Sequence, residues 1–302
     1  MATPAVVLQQ IEDWDVGEQA GLWSDAWSRF RRNPVAIAGL VIVVLLVVVA
    51  VTAPLMVRAG IIADPLTQDV SHSFAPFSAR HPLGTDELGR DLLSRVMYGA
   101  QISLTVGLVV QLVILVIGGT IGLSAGYFGG RVDNLLMRFT DIVYAFPDLL
   151  WLLVIVSVFK PSLLTIFLAV GSIYWVNLAR IVRGQVLSLR EKEFVESARA
   201  AGSSPLRIIV RHLIPNAMSP VIVTLTFGIP QAIFLEAVLS YLGVGIPPPT
   251  PSWGTMVNNG YGAIFADPHQ VLVPGVAIAL TMLSFTFIGD GLRDALDPRM
   301  RK

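Results

Sequence analysis

The 302-residue chain is 54% hydrophobic and only 14% charged, with a mean hydropathy of +0.70; this is too apolar for an ordinary soluble domain and points to an integral membrane protein. It has no cysteine, which excludes disulfides, thiolate metal sites and cysteine nucleophiles. Its formal net charge of zero hides an uneven distribution of charge along the chain.

Residues 1–20 are acidic and polar, and no ordered element is expected there. Residues 21–33, GLWSDAWSRFRRN, place Leu22, Trp23, Ala26, Trp27 and Phe30 on one helical face, with Arg29, Arg31 and Arg32 alongside. The pattern predicts a short helix in the membrane interface with tryptophans at headgroup depth. The alternative is a polar tail that happens to carry two tryptophans.

A helix needs about 20 apolar residues to cross a bilayer. Such runs occur at 35–57, 104–126, 136–159, 163–181, 218–244 and 271–289, so the expected fold is an all-α integral membrane protein with six transmembrane helices. The first run is longer than a signal-peptide core and has no small-x-small cleavage site after it, so it reads as a retained span. With both termini on one side, that side carries 16 of the 21 Lys and Arg residues. The other carries Arg58, Arg80, Arg90, Arg95 and Lys160. Basic loops stay cytoplasmic, which puts the 1–34 tail, the 291–302 tail and the 180–215 loop in the cytoplasm.

Two segments are expected outside. In residues 58–100, HPLGTDELGRDLLSRVMYG places Leu88, Leu92, Leu93 and Val96 on one face, predicting an amphipathic helix resting on the outer surface. Residues 245–268 contain no Lys or Arg; their prolines forbid a regular helix in the first part and stiffen the backbone. Trp253 and Tyr261 are expected to anchor this segment at the interface.

Gly118, Gly122 and Gly126 form a small-xxx-small stripe that lets two helix backbones approach in lipid, and they are assigned to helix packing. The same stretch, Gly122-Leu123-Ser124-Ala125-Gly126, matches the GxSxG nucleophile elbow in form only. It lies inside an apolar helix, and the four histidines sit in loops or at span ends, so a membrane serine hydrolase is set aside. Asp141, Asp148 and Glu236 fall within spans, where a charge costs about 3 kcal/mol and so faces a cavity or a partner. Asp141 is expected to pair with Arg138. Asp148, Glu236 and Gln231 are candidates to line a pathway, and for Glu236 a partnered structural acid between helices remains an equal alternative.

The charged break RIVRGQVLSLREKEFVESARAAGSSPLRIIVRHLIP holds seven of the 21 basic residues. Glu193, Glu196 and Arg199 to Ala201 suit a helix that Gly202 ends, and Ser204-Pro205 begins a second one. The segment reads as helix, tight turn, helix, with alanines on an approachable face.

This segment resembles the EAA loop of binding-protein-dependent ABC importer permeases, with Glu196, Ser197 and Ala198 at the triplet, Gly202 at the glycine and Pro215 at the proline. Ser197 replaces an alanine, His212 an isoleucine and Ile214 a leucine. HPLGTDELGRDLLSR, FLEAVLSYLGVGIPPPTPSWGTM, GDGLRDALDPR and WSRFRRNPVAIAGL are similar to the C-type permease subunit of dipeptide, oligopeptide and nickel importers. The resemblance implies a type I ABC importer permease core over residues 101–290 with the first span added in front and a coupling loop at 184–215. It implies a B-type permease partner, two cytoplasmic ATPases contacting Glu196, Ser197, Ala198, Arg199, Ala201, Gly202 and Pro215, and an extracytoplasmic binding protein, with Pro247, Pro249 and Trp253 as residues facing it. No cofactor is expected on this chain; ATP and Mg belong to the ATPases. No metal site and no nucleic-acid partner are expected.

The sequence agrees independently on one point. None of the three lysines, Lys160, Lys192 and Lys302, follows a glycine, so there is no Walker A pattern. The resemblance implies a non-catalytic permease subunit importing di- or oligopeptides across the cell membrane, and the missing Walker A pattern agrees that the nucleotide energy enters through a partner. Import of a nickel chelate or glutathione by the same architecture is an alternative, as is a secondary transporter, although the chain shows none of the internal repeats on which many such carriers are built.

Overall fold

Capping and hydropathy together set the helix boundaries of the chain, whose computed structural model describes residues 22–297. The 1–20 tail and the end of the GDGLRDALDPR motif lie outside the described residues. Helix α1 (Leu22–Arg32) leads into α2 (Pro34–Arg58) through Asn33, whose side chain accepts the N–H groups of Val35 and Ala36 at 3.1 Å, while Pro34 sits in the first turn where no N–H is needed. In α1, Ala26 and Phe30 are buried, and Trp23 and Trp27 are exposed. Buried Phe30 packs near Gly291 of the last helix, α10 (His269–Leu296), so α1 is held to the bundle.

The centre of the fold is the pair α3 (Leu92–Phe128) and α6 (Leu163–Arg190), which make the most extensive helix contact. The glycine stripe explains the closeness. A Cβ added at Gly118 would stand 2.6 Å from the carbonyl oxygen of Trp175, and one at Gly122 would stand 2.5 Å from that of Ala179. Val106, Val110 and Ile114 of α3 and Val170, Leu178 and Val186 of α6 belong to the same buried core. In lipid the gain is dispersion between close-packed side chains, because hydrocarbon already solvates apolar groups. Helix α8 (Pro205–Tyr241) packs on both α3 and α10, and α2 closes the bundle against α10 and α3.

Among the described residues, five helices are long and apolar enough to cross a membrane: α2, α3, α6, α8 and α10. The expected third span is not a single rod. It is two helices, α4 (Gly130–Tyr144) and α5 (Asp148–Phe159), bent by 84°. Pro147 is the cause, since it lacks an N–H and pushes Phe146 out of helical geometry. The bent pair makes a sixth crossing if counted as one broken span.

The segment expected to form an outer amphipathic helix also differs. Helix begins only at Leu92, capped by Asp91, and runs unbroken into the second span. Of the preceding charges, Asp86, Arg90 and Asp91 are buried, while Arg80 and Glu87 stay exposed. Asp86 accepts from Arg90 Nε at 2.7 Å and lies 3.2 Å from Arg95 Nε, all three being buried, and His81 pairs with Asp91 at 2.9 Å. Arg95 also donates to the carbonyl of Pro65 at 3.1 Å. Gly89, at φ +70°, turns so tightly that a Cβ there would overlap the Asp69 carbonyl. The leucine periodicity was real, but tertiary ion pairing decided the local structure. Further out, hydrogen bonds from Ser71 and then His72 hold the exposed Asp69 carboxyl below its usual range. Burial, and then the neighbouring Asp86 charge, raise that of Glu87.

Candidate functional site

Three places carry the polar groups that a passive-looking bundle does not otherwise need. The first is the charged elbow. Helix α7 (Glu193–Ala200) has Glu193 and Glu196 in its first turn and Arg199 in its last, which suits the helix dipole. It ends in a Schellman motif: Gly202, at φ +77°, donates to Arg199 at 3.0 Å, and Ser203 donates to Ala198 at 3.0 Å. Ser204 then caps α8, with Pro205 in its first turn. Buried Val195, Ile208 and Leu213 join the apolar core, while Glu196, Ser197, Arg199, Ala201 and Gly202 are exposed. Phe194, Leu206 and Val210 are exposed beside them, which leaves an apolar strip next to the charged turn. A π-helical turn at Ile209–Leu213 joins the elbow to the span. It precedes exposed Pro215, whose missing N–H leaves a carbonyl one turn back without its helical donor, and Asn216 donates its side-chain amide to the His212 carbonyl at 2.7 Å.

The second place is a cavity of about 510 Å³ between α3, α6 and α8, whose polar lining includes Gln111, Tyr174, Asn177, Arg180 and Gln231. Tyr174 and Asn177 also line a recess of about 410 Å³ at the break between α4 and α5, so the two spaces share a wall. Asp148 lies in that recess and accepts from the Tyr174 hydroxyl at 2.7 Å. Arg180 pairs with Asp141 at 2.7 Å and sits 4.5 Å from the centre of the Tyr144 ring. Asp141 therefore pairs across helices with Arg180 and not along its own helix with Arg138. Gln231 and Asp148 line these spaces. Sequence reasoning passed over Gln111, Tyr174, Asn177 and Arg180. The available signal was a run of polar side chains at helical spacing, 174, 177 and 180, at the end of an apolar span.

Glu236 belongs elsewhere. It is fully buried and accepts from Ser240 and Ser252 at 2.7 Å each and from Ser103 at 3.4 Å. Of its two readings, the geometry is that of a partnered acid tying α3, α8 and the capped helix α9 (Trp253–Tyr261) together. Trp253 is also wholly buried, its indole N–H donating to the Val96 carbonyl at 3.0 Å, so it neither anchors the interface nor faces a partner. The Ser252 cap turns the chain inward there and carries the indole onto α3. Pro247 and Pro249 are exposed. Among the described residues, no group of three or more His, Asp or Glu side chains comes together as a metal site.

A polytopic helical bundle with an open, mostly apolar cavity carrying a few polar side chains, a broken span and a capped elbow is the architecture of a membrane permease. The chain belongs to the family described as binding-protein-dependent transport system inner membrane component, which it matches over residues 118–302. Residues 21–82 match the N-terminal TM domain of oligopeptide transport permease C. The chain is 43% identical to the oligopeptide transport system permease protein OppC of Bacillus subtilis strain 168, over 93% of this chain and 91% of that one. It is 43% identical to the dipeptide transport system permease protein DppC of the same organism, over 92% and 86%, and 40% identical to OppC of Escherichia coli K12, over 94% and 93%. Its fold is shared with a chain of the MetNI methionine ABC transporter solved in inward-facing conformations, at a TM-score of 0.54 and 18% identity, over 68% of this chain and 98% of that one. The chain is thus a multi-pass protein of the cell membrane and a transport component, not a catalyst.

Proposed function

We propose that this chain is the C-type permease subunit of an ABC importer that carries di- or oligopeptides across the cell membrane. A B-type permease packs against it, completing the pathway at the Gln111–Asn177–Gln231 cavity. Two ATPases, which alone bind ATP and Mg, supply the energy, and one of them seats the α7 elbow. An extracytoplasmic binding protein delivers peptide at the proline-rich end. The observation that carries this reading is the elbow. It is pinned on one side by Val195, Ile208 and Leu213 and terminated by a hydrogen-bonded glycine turn, and it presents Glu196 to Gly202 outward. A stiff element of this kind transmits a push as a rigid body.

The test is peptide uptake by the complete complex with Gly202→Trp. Open space surrounds Gly202, so the side chain fits, but φ +77° penalises any residue with a Cβ by about 1–2 kcal/mol. The expected result is a correctly inserted protein with strongly reduced uptake and ATP hydrolysis no longer coupled to it. Normal coupled uptake removes the assignment.

A further inference from the structure

Helices α6 and α8 face each other across two adjoining spaces. The cavity of about 510 Å³ and a second one of about 420 Å³, nearer the elbow, share Ile181 and Thr224 as lining, so together they form one groove. From Asn177 to Gln185, both on its α6 wall, the helix rises about 12 Å. That is the reach of about four residues of extended chain. In the larger cavity the charged and hydroxyl groups are already engaged. Arg180 pairs with Asp141, the Tyr174 hydroxyl donates to Asp148, and the Thr224 hydroxyl donates to the Pro220 carbonyl, each at 2.7 Å. The carboxamides are not. Gln111, Asn177 and Gln231, from three different helices, make no side-chain hydrogen bond among the described residues, and neither does Gln185 in the second space. Asn177 and Gln231 are exposed. Gln111 is only 7% exposed, but among the described residues the one sealed side-chain polar atom without a partner belongs to Arg90. The Gln111 amide therefore still opens on free space, and the cavity is the space it lines. Gly228 sets its position: a Cβ there would overlap the Gln111 amide oxygen, so glycine lets the amide lie against α8 one turn from Gln231.

We propose that this groove holds a peptide by its main chain, with Gln111, Asn177 and Gln231 hydrogen-bonding the N–H and C=O groups of an extended segment and Gln185 continuing the track toward the elbow. This role rests on the reading of the chain as a peptide importer subunit and specifies what that subunit recognises. A carboxamide offers a donor and an acceptor without charge, the same pair that a peptide group offers. It matches a peptide group whatever side chain comes next. Acidic and basic side chains find no unmatched opposite charge in the larger cavity, because Arg180 and Asp141 already neutralise each other. Neutral hydrogen bonds exchanged for bonds to water are also weak enough to release the chain.

The test uses the assembled, nucleotide-free transporter without its binding protein, so that selection by that protein does not enter. Binding of N-acetyl-trialanine amide, which has no charged end, is compared by ligand-observed NMR with that of the same peptide methylated on its central nitrogen. The parent is expected to bind at least fivefold more tightly, whereas glutamate or lysine in place of the central alanine should change affinity less than twofold. Gln231→Leu, at an exposed position, should remove most of the preference for the parent. Gly228→Ala displaces the Gln111 amide without deleting a polar group and should reduce the preference at least twofold, which covers the case in which Gln231→Leu does not fold. A variant that only loosens the bundle weakens both peptides alike and leaves their ratio unchanged. Equal binding of the two peptides by the unaltered transporter overturns the track, and is what amides spent on the neighbouring permease would give. A preference that survives both variants, or a larger effect of charge than of methylation, overturns it as well. Uptake of free trialanine is assayed in parallel: a main-chain preference lost in Gln231→Leu, without uptake of any peptide, supports the track and counts against the importer reading instead.

Discussion

The two ends of this bundle are held by different forces. At the proline-rich end, Asp86, Arg90 and Arg95 are buried together and Glu236 collects three serine hydroxyls, so stability depends on every polar partner being present. At the elbow end, three buried aliphatic side chains and a glycine turn suffice, and the charges of α7 face outward. The difference teaches where motion is cheap. A buried polar network rigidifies and fails all at once, whereas a short helix seated on a few apolar contacts shifts as a unit.

Breaking the polar end should have the largest effect. Asp86→Ala strands two buried guanidinium groups and is expected to cost about 3–5 kcal/mol, read as a large loss of thermal stability in detergent. Glu236→Ala leaves the Ser103, Ser240 and Ser252 hydroxyls without their shared acceptor and should cost about 2–4 kcal/mol, with a lower yield of folded protein. Gln111→Leu sharpens the contrast between frame and cavity. It is expected to shift stability by about 1 kcal/mol or less yet to reduce peptide uptake severalfold, because Gln111 lines the cavity and Glu236 does not. A Gln111→Leu variant with full uptake and a Glu236→Ala variant that is stable but inactive would reverse the two roles. The smallest change in stability belongs to Leu206→Ser at the exposed strip of the elbow. It should lie within about 0.5 kcal/mol while weakening co-purification with the ATPases.

What the sequence made legible follows the range of the interactions. Hydropathy located the crossings because the bilayer imposes length directly. The elbow was readable because Gly202 and Ser204-Pro205 act on their immediate neighbours. The 84° break was signalled by Pro147, but helix and broken helix have the same composition, and apolar content favoured the continuous rod. The outer segment misled for a different reason. Leu88, Leu92, Leu93 and Val96 do keep helical spacing, but Asp86 closes a turn through the Arg90 N–H at 2.9 Å before helix begins. Glu236 was ambiguous because its partner Ser103 lies 133 residues away in sequence. Trp253 was misplaced because an indole suits a headgroup and a helix contact equally well.

The bend at residues 145–147 has a consequence for how this subunit is made. Irregular main chain survives at membrane depth only when protein or water covers it. Here the kink sits beside an open recess, with Tyr144 and Phe146 uncovered on the flanking surface. As the proposed importer subunit, a copy made without its permease mate would expose there a gap that lipid cannot caulk, and the cell's surveillance proteases, more than transcription alone, would set how many such orphans persist.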